Sequence, residues 1–324
     1  MSEIFKHIRD LVSQEQEAVN QLIRESLYSS ITLINQISEH IIKSGGKRLR
    51  PLLVLLSAKA FGYEGFAHIQ LAAIMELLHT ASLLHDDVVD RSEMRRGQAT
   101  ANKLWGDHAS VLVGDYLYSR AFQLIVKVDS MQVMTILAQT SNQMAEGEVL
   151  QLINCHNPDI SEADYLQIIH HKTGTLFSAA AQMGPVLTNQ SSTLIDAMRD
   201  YGGHLGNAFQ LVDDALDYSA SSAQMGKNLG DDLLEGKPTL PFIRALKHLE
   251  SAQKEILCTA MRDKHTHNIP ALIKMIESTD AIAYTHQMAE KQADLAKQYL
   301  AQIPGSVYRE GLDQLLQFAL ARHY

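Results

Sequence analysis

Residues Ala67 to Asp90, AHIQLAAIMELLHTASLLHDDVVD, run for 24 positions without a glycine or proline. Leucine, alanine, methionine and isoleucine dominate the run, which favours a long buried helix over a strand. It closes on Asp86-Asp87-Val88-Val89-Asp90, and a second apolar run, Ser191 to Tyr218, closes on Asp213-Asp214-Ala215-Leu216-Asp217. In helical geometry the first and fifth positions of Asp-Asp-x-x-Asp project from one face a turn apart, so each cluster offers two oxygen ligands side by side. A helix C-terminus is electrostatically the wrong end for anions, and neighbouring carboxylates repel. Charge placed against stability in two matched copies points to function rather than to a solvated helix end. Mg²⁺ fits, because it takes one or two carboxylates from a protein and completes its shell with water and phosphate oxygens. An EF-hand does not fit, since neither segment has the loop, central glycine and terminal glutamate that such a site needs.

Cations gather in the loops that adjoin these clusters. Lys43-Ser44-Gly45-Gly46-Lys47-Arg48-Leu49-Arg50-Pro51 joins a flexible turn to a proline suited to the first turn of a helix. Arg91 and Met94-Arg95-Arg96-Gly97 follow the first cluster in a predicted loop, Lys172-Thr173-Gly174 interrupts a later helix, and Gly226-Lys227-Asn228-Leu229-Gly230-Asp231-Asp232 through Lys237 follows the second cluster. Arginine forks and lysine point charges suit phosphate oxygens. The chain is acidic overall, with a net charge of −9 and a single tryptophan, and it shows no broad basic stripe, so nucleic acid is not its partner. A small substrate bearing a diphosphate, gripped by Mg²⁺ on one side and by Arg and Lys on the other, matches better.

These segments, together with Leu83-Leu84-His85 before the first cluster, Val113-Gly114-Asp115, Glu146-Gly147-Glu148 and Phe209-Gln210-Leu211-Val212 before the second, occur in the order found in trans-isoprenyl diphosphate synthases. Over roughly residues 40 to 245 the chain resembles that polyprenyl synthetase family, and within it the bacterial long-chain enzymes. Two departures, Gly174 where many members carry Ala and Asn228 where shorter-chain members often carry Pro, remove no charged ligand.

The resemblance implies an all-α fold with a central cavity, and ionisation of an allylic diphosphate such as farnesyl diphosphate. Attack by the double bond of isopentenyl diphosphate and loss of a proton would then give a trans product five carbons longer. It implies two or three Mg²⁺ ions per site, held by Asp86, Asp90 and Asp213 with Asp87, Asp214 and Asp217 as further oxygens. Arg95, Lys172 and Lys227 would add positive charge at the leaving group, and Lys237 would bind substrate. Lys47, Arg50, His79 and Arg96 would hold the second diphosphate. Gln210 and Thr173 would turn oxygens toward the carbocation, with Phe177 and Phe209 as candidate ring faces. His79 lies two turns before Asp86 on nearly the same face, which fits that role better than a core histidine. His170-His171 and Cys155-His156 lack the further ligands of a zinc site.

Ala81 and Ser82 lie about one turn below Asp86 and are small; bulky aromatics here would close a tunnel for the growing chain. The helix spans on the order of 36 Å, and an isoprene unit is about one ~5.4 Å turn long, so there is room for some seven units. A long product, octaprenyl by resemblance, is expected over a C15 or C20 one. Other class I terpenoid synthases and a regulatory subunit of a heteromeric prenyl synthase are the alternatives. The first usually lack the Gly-Gly-Lys-x-x-Arg-Pro segment and the second would have lost aspartates.

Helical periodicity is read over 4–43, 51–62, 67–90, 108–128, 131–154, 161–185, 191–221, 239–265, 268–277, 279–302 and 305–322, with no alternating strand. No linker or charge shift marks a boundary, so one domain over 1–324 is expected. Two cysteines are too few for a disulfide framework. The N-terminus lacks a signal peptide's apolar core and no run is expected to span a membrane, so a cytoplasmic enzyme with at most transient membrane contact follows. A homodimer is implied by resemblance alone.

Overall fold

The structure is a computed structural model that describes residues 3–43, 45–219, 229–263 and 268–321. Lys227 lies outside the described residues. The expected all-α architecture is found. Two compact units alternate along the chain: one is built from residues up to Ser141 with Leu176–Asp200 and Tyr299–Leu315, the other from Asn142–Thr175, Tyr201–Gln298 and the residues from Leu316 onward.

In the first unit the helix Ala67–Val89 packs against Asp107–Val128, Leu49–Ala60 and Ser13–Leu27. Leu49–Ala60 buries ten of its twelve residues, including the consecutive run Leu52 to Leu56. Apolar side chains on every side make a helix a core element rather than a surface one. Close approach is built in: Ser57 Oγ donates to the Ala181 carbonyl at 2.6 Å, and a Cβ at Gly184 would sit 2.4 Å from the Ser57 carbonyl oxygen. By length and composition Ala67–Val89 could cross a membrane, contrary to the expectation that no run reaches that size. Its burial, 61% of the most apolar window, is that of a core helix.

The second unit has its own core. Tyr218, Leu240, Phe242, Leu257, Met261 and Ile276 are fully buried there, joined by Tyr165, Leu211 and Val212.

Helix breaks absent from the sequence reading have local causes. The expected helix 4–43 is three helices, Glu3–Asp10, Ser13–Leu27 and Thr32–Lys43. At the second break the Asn35 side chain takes both the amide (2.9 Å) and the carbonyl (2.8 Å) of Ser29, while Ser29 Oγ accepts from the Ile31 amide. Side chains that bond the backbone in this way compete with helix. The interruption expected at Lys172-Thr173-Gly174 within 161–185 is a π-helical turn, His170–Gly174, between Glu162–Ile169 and Thr175–Leu187. The expected 239–265 helix divides where Leu249 and Glu250 are extended, with ψ of 154° and 159°. Among the described residues the one pair of strands is a hairpin, Met94–Arg95 with Gln98–Ala99, in place of the predicted loop. Its central residues Arg96 (φ 53°) and Gly97 (φ 76°) are both left-handed, as a tight two-residue hairpin requires.

Candidate active site

The hairpin aims Arg95 at the end of the Ala67–Val89 helix. Arg95 donates from Nε (2.8 Å) and Nη2 (2.7 Å) to one oxygen of Asp87, whose side chain is 3% exposed. Asn102 Nδ2 donates to the Asp87 carbonyl at 3.1 Å, and Ser110 Oγ donates to that of Leu84 at 2.9 Å. Backbone carbonyls at a helix end are thus satisfied by side chains of the next elements. Asp86 is buried, and Asp90 caps the helix through its amide bond to the Asp86 carbonyl at 2.8 Å.

Arg96 turns toward the glycine loop, where a Cβ on Gly46 would meet its Nη1 at 2.7 Å. Arg48 is left-handed (φ 50°), bonds Asn20, and lies 3.9 Å from Glu76. Arg50 stacks 4.7 Å over the buried ring of Phe177, so this aromatic face supports a guanidinium. Lys47 is exposed in the same loop.

His79 sits among these cations. Burial first, and then the charges of Arg50, Arg96 and Arg95, hold its imidazole well below the ordinary histidine range. A neutral ring beside three guanidiniums can donate one hydrogen bond to a bound anion. Glu76, one turn earlier, is pushed up by burial and drawn down by Arg48, Arg50 and Arg96. Its i−3 spacing from His79 was available in the sequence as a signal. Of the predicted anion-binding residues Arg50, His79, Arg95 and Arg96 are therefore together, with Glu76 as an unforeseen member.

A stability consequence follows. Between the depressed pKa of folded His79 and about 6.5, the unfolded chain binds a proton that the folded protein refuses, so stability falls as pH drops through this window. Urea midpoints of the protein and of His79→Phe, measured from pH 8 to 5, should diverge below about pH 6.5 by up to ~1.4 kcal/mol per pH unit, the wild type losing more. Glu76 is common to both and cancels. Parallel curves would mean that His79 is not held neutral.

Ala81 is fully buried, and Ser82 is partly buried with its hydroxyl donating to the His79 carbonyl at 2.8 Å.

In the second unit a cavity of about 130 Å³ is lined by Tyr165, Lys172, Thr173, Gln210, Asp214, Asp232 and Lys237. The π turn places Lys172 and Thr173 here. Thr175 Oγ1 bonds the His170 carbonyl, and a Cβ on Gly174 would strike Asn207 Oδ1 at 2.6 Å, so the turn presses closely on the helix Ser192–Asp217. Lys172 Nζ donates to Glu148 at 2.8 Å, and Lys237 Nζ to Glu235 at 2.6 Å. Thr173 Oγ1 donates to Gln210 Oε1 (2.9 Å), Gln210 Nε2 to Asp214 Oδ1 (2.8 Å), and Tyr165 OH to Asp214 Oδ2 (2.5 Å). The loop after the second cluster folds back on it: the Asp232 amide donates to Asp217 Oδ2 at 3.1 Å and the Gly230 amide to the Asp217 carbonyl.

Burial first, then the charge of Asp232, raise Asp214 to about 7, with hydrogen bonds from Tyr165 and Gln210 opposing and Asp213 adding. Burial and a neighbouring carboxylate thus both disfavour its ionised form. Among the described residues no three His, Cys, Asp or Glu side chains form a ready-made metal cage. The donor set instead suits Mg²⁺, which takes few protein carboxylates and draws its remaining ligands from water and phosphate. Asp232 belongs to the segment read after the second cluster, whereas Tyr165 went unnoticed in the sequence; it stands seven residues before Lys172.

The polyprenyl synthetase family model matches residues 31–278. The chain is similar to the octaprenyl diphosphate synthase of Escherichia coli K12, with 45% identity over 97% of this chain and 98% of that one. It is similar at 42% identity, over 96% of each chain, to an all-trans-nonaprenyl-diphosphate synthase (geranyl-diphosphate specific) of Rhodobacter capsulatus. Among solved structures, a Caulobacter crescentus polyprenyl synthase complexed with calcium and isoprenyl diphosphate superposes with a TM-score of 0.95 at 41% identity, covering 99% of this chain and 98% of that one.

Proposed function

We infer, from the premise that this chain belongs to the polyprenyl synthetase family, that it is a prenyltransferase building a long all-trans polyprenyl diphosphate. The observation that carries the reading is the second unit's cavity, where two lysines stand beside oxygen-bearing Thr173 and Gln210 and buried Asp214. Such a lining serves a reaction that first expels an anion and then shelters a cation.

An allylic diphosphate binds with its leaving group toward cationic side chains, to which Lys172 and Lys237 contribute. Asp86 and Asp90 in the first unit, and Asp213 and Asp217 in the second, would each offer carboxylate oxygens to divalent metal; we propose Mg²⁺. When bound, the metal neutralises the departing diphosphate. Asp87 holds the Arg95 guanidinium in place, and that charge favours ionisation. Thr173 and Gln210 then offer oxygen dipoles to the allylic cation. Isopentenyl diphosphate is held by Arg50, Arg96, Lys47 and neutral His79, its double bond adds to the cation, and a proton passes from the adduct to the diphosphate released in the ionisation step.

The product is proposed to be octaprenyl, on the similarity to octaprenyl synthases and the small Ala81 and Ser82. The similarity to a nonaprenyl synthase makes nine units the nearest rival length. A cytoplasmic homodimer is proposed as the working form. Val111, Phe122 and Val126 make an exposed apolar stripe on the helix Asp107–Val128, of the kind that marks protein interfaces.

Incubating the purified chain alone with Mg²⁺, farnesyl diphosphate and labelled isopentenyl diphosphate should yield labelled chains near C40. Absence of incorporation would instead indicate a regulatory subunit. Diphosphate release from the allylic substrate alone would indicate a cyclase.

A further inference from the structure

We propose that Tyr165 is a positioning residue for the reaction, fixing through Asp214 and Gln210 the direction in which the Thr173 hydroxyl faces the cavity. The inference deepens the prenyltransferase reading and rests on it.

The four side chains form one unbranched line of hydrogen bonds within the second unit. Tyr165 OH reaches Asp214 Oδ2 at 2.5 Å, Gln210 Nε2 reaches Asp214 Oδ1 at 2.8 Å, and Thr173 Oγ1 reaches Gln210 Oε1 at 2.9 Å. All four line the same cavity, and Tyr165, Asp214 and Thr173 are buried. Each member has limited choices. A phenol carries one proton, a carboxylate only accepts, and a primary amide has a donor end and an acceptor end. Both Asp214 oxygens accept, from Tyr165 and from the Gln210 NH₂, and with Asp214 ionised this order sets the Gln210 carbonyl toward Thr173. Thr173 is then obliged to donate, and the lone pairs of its hydroxyl remain for the cavity. The reverse order would set the amide NH₂ against Thr173, consume a lone pair, and bring the positive end of a dipole to the place where positive charge must develop.

Tyr165 anchors the far end of this line. Without its hydroxyl the carboxyl group of Asp214 loses one of two restraints and can turn, and the Gln210 amide loses the fixed acceptor that sets its direction. The effect belongs to the step in which the cation forms and not to diphosphate binding. Tyr165 therefore acts through its neighbours, and Phe at this position keeps the ring that fills the core while deleting only the anchor.

The test is a double-mutant cycle on the full-length enzyme with Mg²⁺, farnesyl diphosphate and labelled isopentenyl diphosphate. Tyr165→Phe should lower kcat about tenfold, the scale of one buried hydrogen bond, with the KM of both diphosphates within about twofold of wild type. Thr173→Val should lower kcat further, and adding Tyr165→Phe to it should cost nothing more, because the hydroxyl being aimed is already gone. Independent, multiplying losses would overturn the proposal, as would a change in KM with kcat intact. Should Tyr165→Phe fail to fold by circular dichroism, 4-fluorophenylalanine at position 165 replaces it, filling the place of the hydroxyl without a proton to donate to Asp214. A lower kcat at unchanged KM supports the proposal, and a wild-type kcat overturns it. A wild-type protein that incorporates no isopentenyl diphosphate sinks the prenyltransferase reading on which the proposal rests; an active wild type with an unaltered Tyr165→Phe variant sinks the role of Tyr165 alone.

Discussion

Asp86→Asn should lower kcat by about a thousandfold while leaving the metal-free protein as stable as the wild type or slightly more so. The activity loss is the scale of one Lewis-acid interaction, several kcal/mol, removed from the departure of a diphosphate. The stability change runs the other way for electrostatic reasons. Asp86 lies in the last turn of Ala67–Val89, where the helix dipole is negative, with Asp87 and Asp90 alongside. Deleting one of three like charges there relieves repulsion worth roughly 0.3–1 kcal/mol. Labelled isopentenyl diphosphate incorporation at saturating substrate gives kcat, and urea midpoints in chelator give stability. Near-normal turnover would remove Asp86 from the metal site. A clear drop in stability would mark it as a structural carboxylate instead.

Ala81→Phe should shift the dominant product from about eight isoprene units to roughly three or four, read by reversed-phase chromatography of the dephosphorylated products. Ala81 is fully buried, five residues before Asp86, so a phenyl ring must either occupy space along the helix that the growing chain would use or press neighbours aside. Overpacking of this kind costs about 1–3 kcal/mol, which a core this apolar can absorb while still folding. Total isopentenyl incorporation per primer falls while the number of primers consumed does not. An unchanged product length in a folded variant would place the determinant elsewhere.

The sequence carried the long elements well. Ala67–Val89, Asp107–Val128 and Met131–Asn154 end within a residue of where apolar periodicity, Gly106 and the Asp129-Ser130 pair place them. Such helices are specified locally and confirmed by their own buried faces. The breaks were harder to see, because their causes lie in side chains rather than in glycine or proline. Asn35 reaching back to Ser29 ends a helix that periodicity alone would continue. An interruption at Lys172-Thr173-Gly174 was legible, but its π geometry and the close approach of Gly174 to Asn207 were not. The charged motifs were legible as a set of reagents, whereas their supports were not. Glu76, three residues before His79 on the same helix, was available but overlooked, and Tyr165 behind Asp214 is recognised only once the helices bring the two together.

A π turn holds one residue more than the α-helix it interrupts, and this has a practical meaning for anyone editing the chain. Removing a single residue between His170 and Gly174 would restore a regular helix with the flanking segments nearly in register, while moving the side chains within the turn itself. Tyr165 precedes the join and Lys172 and Thr173 lie within it, so such a deletion would spare the scaffold and scramble the register between reagent and support. Grafts and chimeras of this enzyme should therefore take 162–187 whole.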